Sequence, residues 1–241
     1  MKTISSFRRM VREVPPIVAA LMILSVVGMN LLANKSIDTG LGWLALDCGI
    51  LFSWLAYLSM DILTHCCGPK VSSAMSVMAL LLNLFMVLIF FIASRIPGVW
   101  GESFVEGSEG VINAALNNTF GGTWYILLGS SIAFLVSAFI NSFLNHGIGK
   151  FFKKELNFGE FAVRSYVSTF VAQFADNMIF ALLVSKVFFG WSLLQCFTCA
   201  LTGAVLELVF EVFFSPVGYR ISKRMMSEKM NYAIEETEQR A

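Results

Sequence analysis

Long apolar runs separated by short polar connections are the dominant pattern of this chain. The hydrocarbon core of a membrane is about 30 Å thick and requires about 20 apolar residues in a helix. Six stretches of the sequence approach that length, so we predict membrane-spanning helices over residues 16–33, 43–63, 72–93, 123–143, 161–188 and 193–217. The predicted fold is an all-α, polytopic integral membrane protein, with residues 1–241 forming a single six-helix transmembrane domain.

Composition supports this prediction and excludes several classes of protein. Only 14% of the residues are charged and 57% are hydrophobic, whereas a soluble domain carries charge on about a quarter of its residues. These values exclude an ordinary cytosolic enzyme and a disordered chain, and the net charge of +1 gives no attraction to nucleic acid. The five cysteines are an odd number and lie mostly in or beside apolar runs, which is not the pattern of a secreted disulfide framework.

The positions of lysine and arginine predict the orientation in the membrane. Of 17 such residues, 13 lie in the N-terminal segment, the second and fourth connections and the C-terminal tail. The opposite side has only Lys35, Arg95 and Lys186, and Arg164 lies within a predicted span. Because basic residues concentrate on the cytoplasmic side of a membrane protein, we predict that both termini are cytoplasmic in a multi-pass protein of the cell membrane. The long connection 94–122 is then external and is expected to contain a short interfacial helix or re-entrant piece, and the tail from residue 222 is expected to continue as a solvated helix.

Polar residues form a continuous stripe along the fifth predicted span. Ser165, Thr169, Gln173, Asp176 and Phe180 follow one another at steps of three or four residues, which places them on one helix face. A stripe that contains a carboxylate is too costly to face lipid, so we expect it to face the bundle interior or a cavity.

The second and sixth predicted spans also contain acidic residues. Asp61 and His65 lie four residues apart, with Trp54 and Tyr57 one to two turns before them; an acid, an imidazole and aromatic rings on one face suit a polar ligand with a flat ring. The alternatives are that Asp61 anchors the end of the span and that His65 is interfacial.

Glu207 and Glu211 share a face of the sixth span, where two like charges do not both ionise cheaply. One of them is then protonated, or a cation lies between them, and such a pair can bind a basic ligand or carry a proton. The alternative is that Glu211 pairs with Arg164 or with another buried group. Asn30 and Asn34 share a face of the first span, and amides in such positions usually bridge helices.

No motif for catalysis or for a cofactor stands out. The sequence contains no P-loop and no convincing nucleophile motif, so an enzyme is not predicted. Cys196 and Cys199 form a CxxC pair, but that pair lies within a predicted span instead of a ligand loop. We therefore predict neither a metal site nor a cofactor.

Four segments resemble a known family. MDILTHCCG (60–68) resembles the S-D-I-L-T-E-x-Y-G segment, and RSYVSTFVAQFADNMIF (164–180) the R-S-x-x-S-T-x-x-x-Q-x-x-D-x-x-I-F helix, of the queuosine precursor transporter family, also called the YhhQ or VUT family. NLLANK (30–35) and LELVFEVFFSPVGYRI (206–221) match its first and last spans. The resemblance implies a six-span importer of 7-deazaguanine compounds that are used to make the tRNA nucleoside queuosine.

The implied substrate agrees with the polar chemistry of the spans. A deazaguanine presents N1–H and an exocyclic amine side by side, which one carboxylate accepts with both oxygens; Asp176 and Asp61 are the two candidates. Its carbonyl needs a donor such as Gln173 or Asn177, its flat face suits an aromatic ring, and an aminomethyl group suits an acid. The full set of candidate substrate-binding residues is Asn30, Trp54, Tyr57, Asp61, Gln173, Asp176, Asn177, Phe180, Glu207 and Glu211.

Three positions depart from the family pattern. His65 replaces a glutamate, Cys67 replaces a tyrosine, and Glu207 stands where the resemblance implies a basic residue in many members. A neutral histidine and an added glutamate suit a more basic ligand. The sequence does not determine which precursor is preferred, which ion drives transport or whether the chain forms a homo-oligomer. The alternative function is a substrate-binding membrane subunit that works with a separate ATPase module, as the S components of vitamin-uptake systems do.

Overall fold

A computed structural model describes residues 11, 14–37, 39–41, 43–44, 46–100, 107, 109–121, 124–152, 157–188 and 190–238. Helices dominate this part of the chain, and its only sheet is the two-residue antiparallel pair β1 (Ser36–Ile37) and β2 (Leu46–Asp47). The predictions for the N-terminal basic segment, for Glu102 and Glu106, and for Lys153 and Lys154 concern positions outside the described residues.

Six long helices cross the bundle and two short ones accompany them. They are α1 (Pro16–Leu32), α2 (Ile50–Cys67), α3 (Pro69–Arg95), α4 (Glu109–Gly121), α5 (Trp124–Gly149), α6 (Phe158–Phe180), α7 (Lys186–Phe188) and α8 (Leu193–Glu238). A π-helical turn, Ala181–Ser185, joins α6 to α7. Among the described residues, five helices are long and apolar enough to cross a membrane, and the 17-residue α1 is a shorter apolar helix. The all-α prediction and the predicted number of long helices are confirmed for this part of the chain; a sixth membrane crossing, by α1, and the direction of the termini stay predictions.

Local sequence explains where several helices begin and end. Gly68 adopts a φ of +85° between α2 and α3, a conformation that favours glycine, and Pro69 then starts α3. The side chain of Asn157 caps α6 by accepting a hydrogen bond from the amide of Glu160 at 2.7 Å. Short connections of this kind force consecutive helices to run antiparallel.

The predicted start of the second span at residue 43 is wrong. Among the described residues 43–44 and 46–49, the chain forms turns and β2, which pairs Leu46 with Ile37 and Asp47 with Ser36, and α2 begins only at Ile50. Hydropathy alone does not distinguish an apolar helix from an apolar strand that precedes it. The fourth span extends to Gly149 instead of residue 143, and α8 continues to Glu238, as expected for the tail. The helix expected within the external connection is α4.

The arrangement gives the bundle two distinct ends. The C-terminal ends of α1, α3 and α6, and the N-terminal ends of α2, α5 and α8, lie at one end, which we call the loop end. The opposite end, which we call the terminus end, contains the start of α1 and the far part of α8. Buried serines, asparagines and acids lie between the helices, while the large apolar side chains of α3 and α8 are exposed on the outside.

Candidate functional site

A cavity opens at the loop end of the bundle. It contains about 540 Å³ of empty space, including the space open to solvent at its mouth. Helices α1, α2, α5, α6 and α8 all contribute to its walls. Its polar lining consists of Asp47, Ser53, Ser130, Asp176, Asn177, Cys199 and Glu207.

Carboxyl groups set the chemistry of this cavity, which we call the outer cavity. Asp47, Asp176 and Glu207 all line it, and no lysine, arginine or histidine is among the described residues of its wall. Phe180 adds one aromatic ring. An acidic, partly apolar wall favours a ligand that is rich in N–H groups or cationic, and it disfavours phosphates and carboxylates.

Neighbouring helices hold two of these acids in place. The hydroxyl of Ser137 on α5 lies 2.8 Å from Asp176 Oδ1. Glu207 accepts hydrogen bonds from the hydroxyl of Ser53 and, at 3.4 Å, from the amide of Asn177. Gly203 makes room for that amide, because a Cβ at this position would lie 2.7 Å from Asn177 Nδ2.

Asp47 reaches the cavity from β2 instead of a helix. The amide of Gly49 donates to Asp47 Oδ1 at 2.7 Å. Burial raises the pKa of Asp47 from its usual value to about 6, against the opposing effect of that backbone hydrogen bond. Its charge therefore changes within the physiological range of pH.

A second group of acids lies deeper in the bundle. Asp61 on α2 is fully buried and accepts hydrogen bonds from Asn141 at 2.6 Å and Asn145 at 3.0 Å, both on α5. On α6, Thr169 donates to it at 3.0 Å, and the hydroxyl of Ser165 lies 2.5 Å away. These donors offset part of the cost of burying the carboxyl group of Asp61.

Glu211 lies on the other side of Ser165. Its Oε1 contacts the Ser165 hydroxyl, whereas its Oε2 is buried and accepts no hydrogen bond. Asp61, Ser165 and Glu211 therefore form a chain across α2, α6 and α8, which we call the acid chain.

Gln173 lies between the outer cavity and the acid chain. It is fully buried, one turn from Thr169 on α6, and neither its side-chain oxygen nor its nitrogen has a hydrogen-bond partner. A buried amide without partners is unfavourable.

A second cavity, which we call the inner cavity, opens at the terminus end. It is lined by Thr64, His65, Gly68, His146, Gly149, Lys150, Phe152, Glu160, Arg164 and Met226. Arg164 pairs with Glu160 at 3.1 Å and donates to the side chain of Asn145 at 3.0 Å. The ion partner of Arg164 is therefore Glu160, not Glu211 as one alternative held. Polar groups thus extend through the bundle from one cavity to the other.

The structure distributes the ten predicted binding residues among several places. Asp176, Asn177, Phe180 and Glu207 line the outer cavity together. Asp61, Gln173 and Glu211 lie below it, in the bundle interior.

The other three predicted residues lie around these groups. Tyr57 is buried, and its hydroxyl donates to Ser137 at 2.5 Å, next to Asp176. Asn30 bonds Ser130 of the cavity wall, which makes it a helix bridge between α1 and α5. Trp54 lies outside the outer cavity, where it stacks on Phe214 at 4.3 Å between ring centroids.

Sequence reasoning did not single out Asp47, Ser53 or Ser137. Asp47 lies inside the second predicted span, four residues from its predicted start, where an acid is unusual and was a usable signal. The two serines are ordinary in apolar helices, and only their positions opposite an acid distinguish them. Among the described residues, no group of three or more His, Cys, Asp or Glu side chains is placed to hold a metal ion.

Comparison with known proteins adds a family to this geometry. The model of a family described as "putative vitamin uptake transporter" matches residues 47–221 of the 241-residue chain. The chain belongs to this family. No curated protein and no solved structure matches it.

The family match covers the parts of the chain that form the site. It extends from Asp47, in the wall of the outer cavity, to Ile221 in α8, and so includes all of α2, α3, α5 and α6. Every acid of the outer cavity and of the acid chain lies within it. As a member of this uptake-transporter family with several apolar helices, the chain is a multi-pass membrane protein for a small-molecule substrate.

Proposed function

We propose that this protein imports 7-deazaguanine precursors of queuosine across the cell membrane, and that the outer cavity is where they bind. The observation that carries the proposal is the set of three carboxyl groups, Asp47, Asp176 and Glu207, in a cavity wall without described basic residues. The resemblance of residues 164–180 to the queuosine precursor transporters supports the choice of substrate within the vitamin-uptake family.

Asp176 is the best-placed group for the guanine-like edge of the base. It lines the cavity, whereas Asp61 does not line it and already accepts several hydrogen bonds from the protein. A carboxylate that faces open space can accept N1–H and the exocyclic amine together. Asn177 supplies an amide for the carbonyl of the base, and the ring of Phe180 supplies a flat surface for its face.

Glu207 favours the aminomethyl precursor over the nitrile precursor. An aminomethyl group is cationic at neutral pH, and the carboxyl of Glu207, in the wall of the same cavity as Asp176, can accept its N–H groups. His65 also departs from the family pattern and was considered above as a cause of a preference for a basic ligand. It lies in the inner cavity instead, where its Nδ1 is 2.7 Å from the hydroxyl of Ser222. We therefore assign the preference to Glu207 alone.

The position of the cavity agrees with import. The outer cavity opens at the end of the bundle opposite the start of α1 and the far part of α8. If both termini are cytoplasmic, as the distribution of lysine and arginine predicts, this cavity faces the outside and receives external substrate.

Restoration of tRNA modification in cells tests the proposal. Cells that lack queuosine synthesis and their own precursor transporter would express the protein and receive each precursor in turn, and queuosine in tRNA would be measured. We expect restoration by at least one precursor. Failure with every precursor, when the protein is present in the membrane, would overturn the proposed substrate class.

The variant Asp176→Asn tests the proposed binding residue in the same cells. The amide keeps the shape of the side chain but replaces an acceptor by a donor that opposes the N–H groups of the base. Charged hydrogen bonds contribute about 1.5–3 kcal/mol, so we expect uptake to fall by about tenfold or more with an unchanged amount of protein in the membrane. Uptake equal to that of the unaltered protein would remove Asp176 from the site.

The ATPase-dependent alternative has a direct test as well. The purified chain, reconstituted alone into liposomes, is expected to exchange labelled precursor across the membrane. Transport only after addition of a separate ATPase module and ATP would favour the alternative function.

A further inference from the structure

We propose that the acid chain, Asp61, Ser165 and Glu211, is a proton-binding site that couples precursor import to inward proton movement. The inference rests on the proposed function and names the coupling ion for it. The three residues belong to three different helices and lie between the outer and inner cavities.

The hydrogen bonds of the acid chain require one of its two carboxyl groups to be protonated. Ser165 has one hydroxyl hydrogen, yet its oxygen is within hydrogen-bonding distance of both Asp61 Oδ2 and Glu211 Oε1. One of the two contacts therefore needs a hydrogen from a carboxyl group. Asp61 and Glu211 also hydrogen-bond each other directly. Because Asp61 in addition accepts hydrogen bonds from the amides of Asn141 and Asn145, it is the ionised member and Glu211 is the protonated one.

The surroundings of Glu211 agree with a neutral acid. The residue is fully buried, and its Oε2 has no donor; an ionised carboxylate in that position would be strongly unfavourable. Arg164, next to Ser165 in the sequence, directs its guanidinium to Glu160 and Asn145 and so is not the counter-ion of the acid chain.

Other titratable groups lie around the acid chain at greater distance along the helices. On α2, Tyr57 and His65 lie one turn before and after Asp61; on α5, His146 follows Asn145. On α6, Glu160 and Arg164 form the ion pair at the inner cavity, while Asp176 lies at the outer cavity; on α8, Glu207 lies one turn from Glu211. Asp61 hydrogen-bonds one titratable group, Glu211; its other donors are hydroxyl and amide groups, which do not change charge.

Gln173 is an independent indication that this region takes up another group. Its amide is fully buried without any partner, between Asp176 at the outer cavity and Thr169 at the acid chain. A polar group that is unsatisfied in one state of a transporter is a natural partner for water or substrate in another state. The same stripe of α6 thus connects the substrate cavity with the acid chain.

The proton step balances without any other reactant. In one direction, the O–H bond of Glu211 breaks and a bond to Ser165 Oγ forms, while the former hydrogen of Ser165 passes to Asp61 Oδ2. This leaves Asp61 neutral and Glu211 ionised, so that Glu211 takes up a second proton, which originates from external water. Release of one proton toward the inner cavity restores the initial state.

Protonation of Asp61 also loosens the junction between helices. The Asp61 anion accepts hydrogen bonds from Asn141 and Asn145 of α5 and from Thr169 of α6, and so ties α2 to both helices. Hydrogen bonds to an ionised acceptor are about twice as strong as those to a neutral one. A neutral Asp61 therefore permits the helix movement that closes one cavity and opens the other, which makes transport depend on the proton.

Transport by the purified protein in liposomes tests the proposal. The probe is labelled 7-cyano-7-deazaguanine, which is neutral and so carries no charge of its own, and a pH-sensitive dye inside the vesicles reports proton entry. With an acidic exterior, we expect substrate accumulation and internal acidification. For one proton per substrate, a gradient of one pH unit supports accumulation of about tenfold.

The variant Glu211→Gln separates coupling from binding. We expect it to abolish accumulation driven by the pH gradient and to slow exchange, because Asp61 no longer receives the proton of Glu211, while binding of labelled precursor to the purified variant stays within about twofold. Ser165→Ala keeps both acids, which also hydrogen-bond each other directly, so it is expected to weaken the accumulation less than Glu211→Gln does. Glu211→Asp, which restores an acid, should recover part of the accumulation.

The outcomes distinguish this inference from the proposed function. Exchange of labelled precursor by the unaltered protein, without accumulation or proton entry under a pH gradient, would overturn the inference and leave the transport function intact. Equal accumulation by the unaltered protein and Glu211→Gln would also overturn it. Absence of exchange with every precursor would overturn the proposed function itself.

Discussion

The two groups of acids in this protein have the same chemistry and different surroundings. Half-buried Asp176 and Glu207, which is 3% exposed, line a cavity that opens to solvent, and the protein supplies each with two hydrogen-bond partners. Asp61 and Glu211 are fully buried, and Asp61 alone accepts several hydrogen bonds from two helices. An acid whose acceptor capacity is already used by the protein stabilises the fold or holds a proton, whereas one that faces open space is available to a ligand.

Removing an acid of the acid chain and removing an acid of the outer cavity should differ most in their effect on the free energy of unfolding. Asp61→Ala removes the acceptor of Asn141, Asn145 and Thr169 and leaves their donors unsatisfied in the bundle interior. Loss of one partner of a buried charged network costs about 3–5 kcal/mol of unfolding free energy. Asp176→Ala is the matched control, and it should cost less, about 1–2 kcal/mol, because its partners Ser137 and Tyr57 also hydrogen-bond each other and lie beside the cavity. Unfolding of the purified variants in detergent measures both; equal losses would erase the distinction.

Substrate preference should separate Glu207 from Glu211. The change Glu207→Gln removes a carboxyl from the cavity wall, so we expect the preference for the aminomethyl over the nitrile precursor to fall by about tenfold. Glu211→Gln makes the same chemical change one turn away on α8 but outside the cavity, and it should leave this preference unaltered. Competition between the two precursors in uptake is the measurement. An unchanged preference in Glu207→Gln would remove Glu207 from ligand recognition.

A smaller effect is expected from the titration of Asp47. Its pKa is raised to about 6, so the group is mostly neutral at pH 5 and mostly ionised at pH 7. Affinity for the cationic aminomethyl precursor should therefore rise with pH, by about twofold to fivefold, the range of a partly exposed ion pair. Asp47→Asn should reduce this rise in affinity. For the neutral nitrile precursor, the titration of Asp47 should not change the affinity. Identical pH profiles for Asp47→Asn and the unaltered protein would contradict the assignment.

The smallest effect is expected at Trp54. This ring stacks on Phe210 and Phe214 of α8, outside the outer cavity. Trp54→Phe keeps an aromatic ring there, so we expect precursor affinity to stay within about twofold. Direct binding to the purified variant measures it, and a loss beyond tenfold would show that Trp54 contacts the substrate after all.

Much of the fold follows from local properties of the sequence. The length of each apolar run determined the six helices, and spacing of three and four residues determined that α6 has a polar face from Ser165 to Asp176. The depth of Asp61, Asp176, Glu207 and Glu211 within apolar runs identified them as candidates for function. These properties depend on residues that are neighbours along one helix, and so they can be predicted from the sequence.

Tertiary structure decided which acids act together. Asp61 and Asp176 were equivalent candidates for the guanine-like edge, but packing places Asn141 and Asn145 of α5 against the first and leaves the second beside a cavity. The β1–β2 pair brings Asp47 into the same cavity, and Trp54 points to α8 instead. The hydrogen-bond partners of a buried acid come from other helices, and the sequence of one helix contains no information about which side chains its neighbours present.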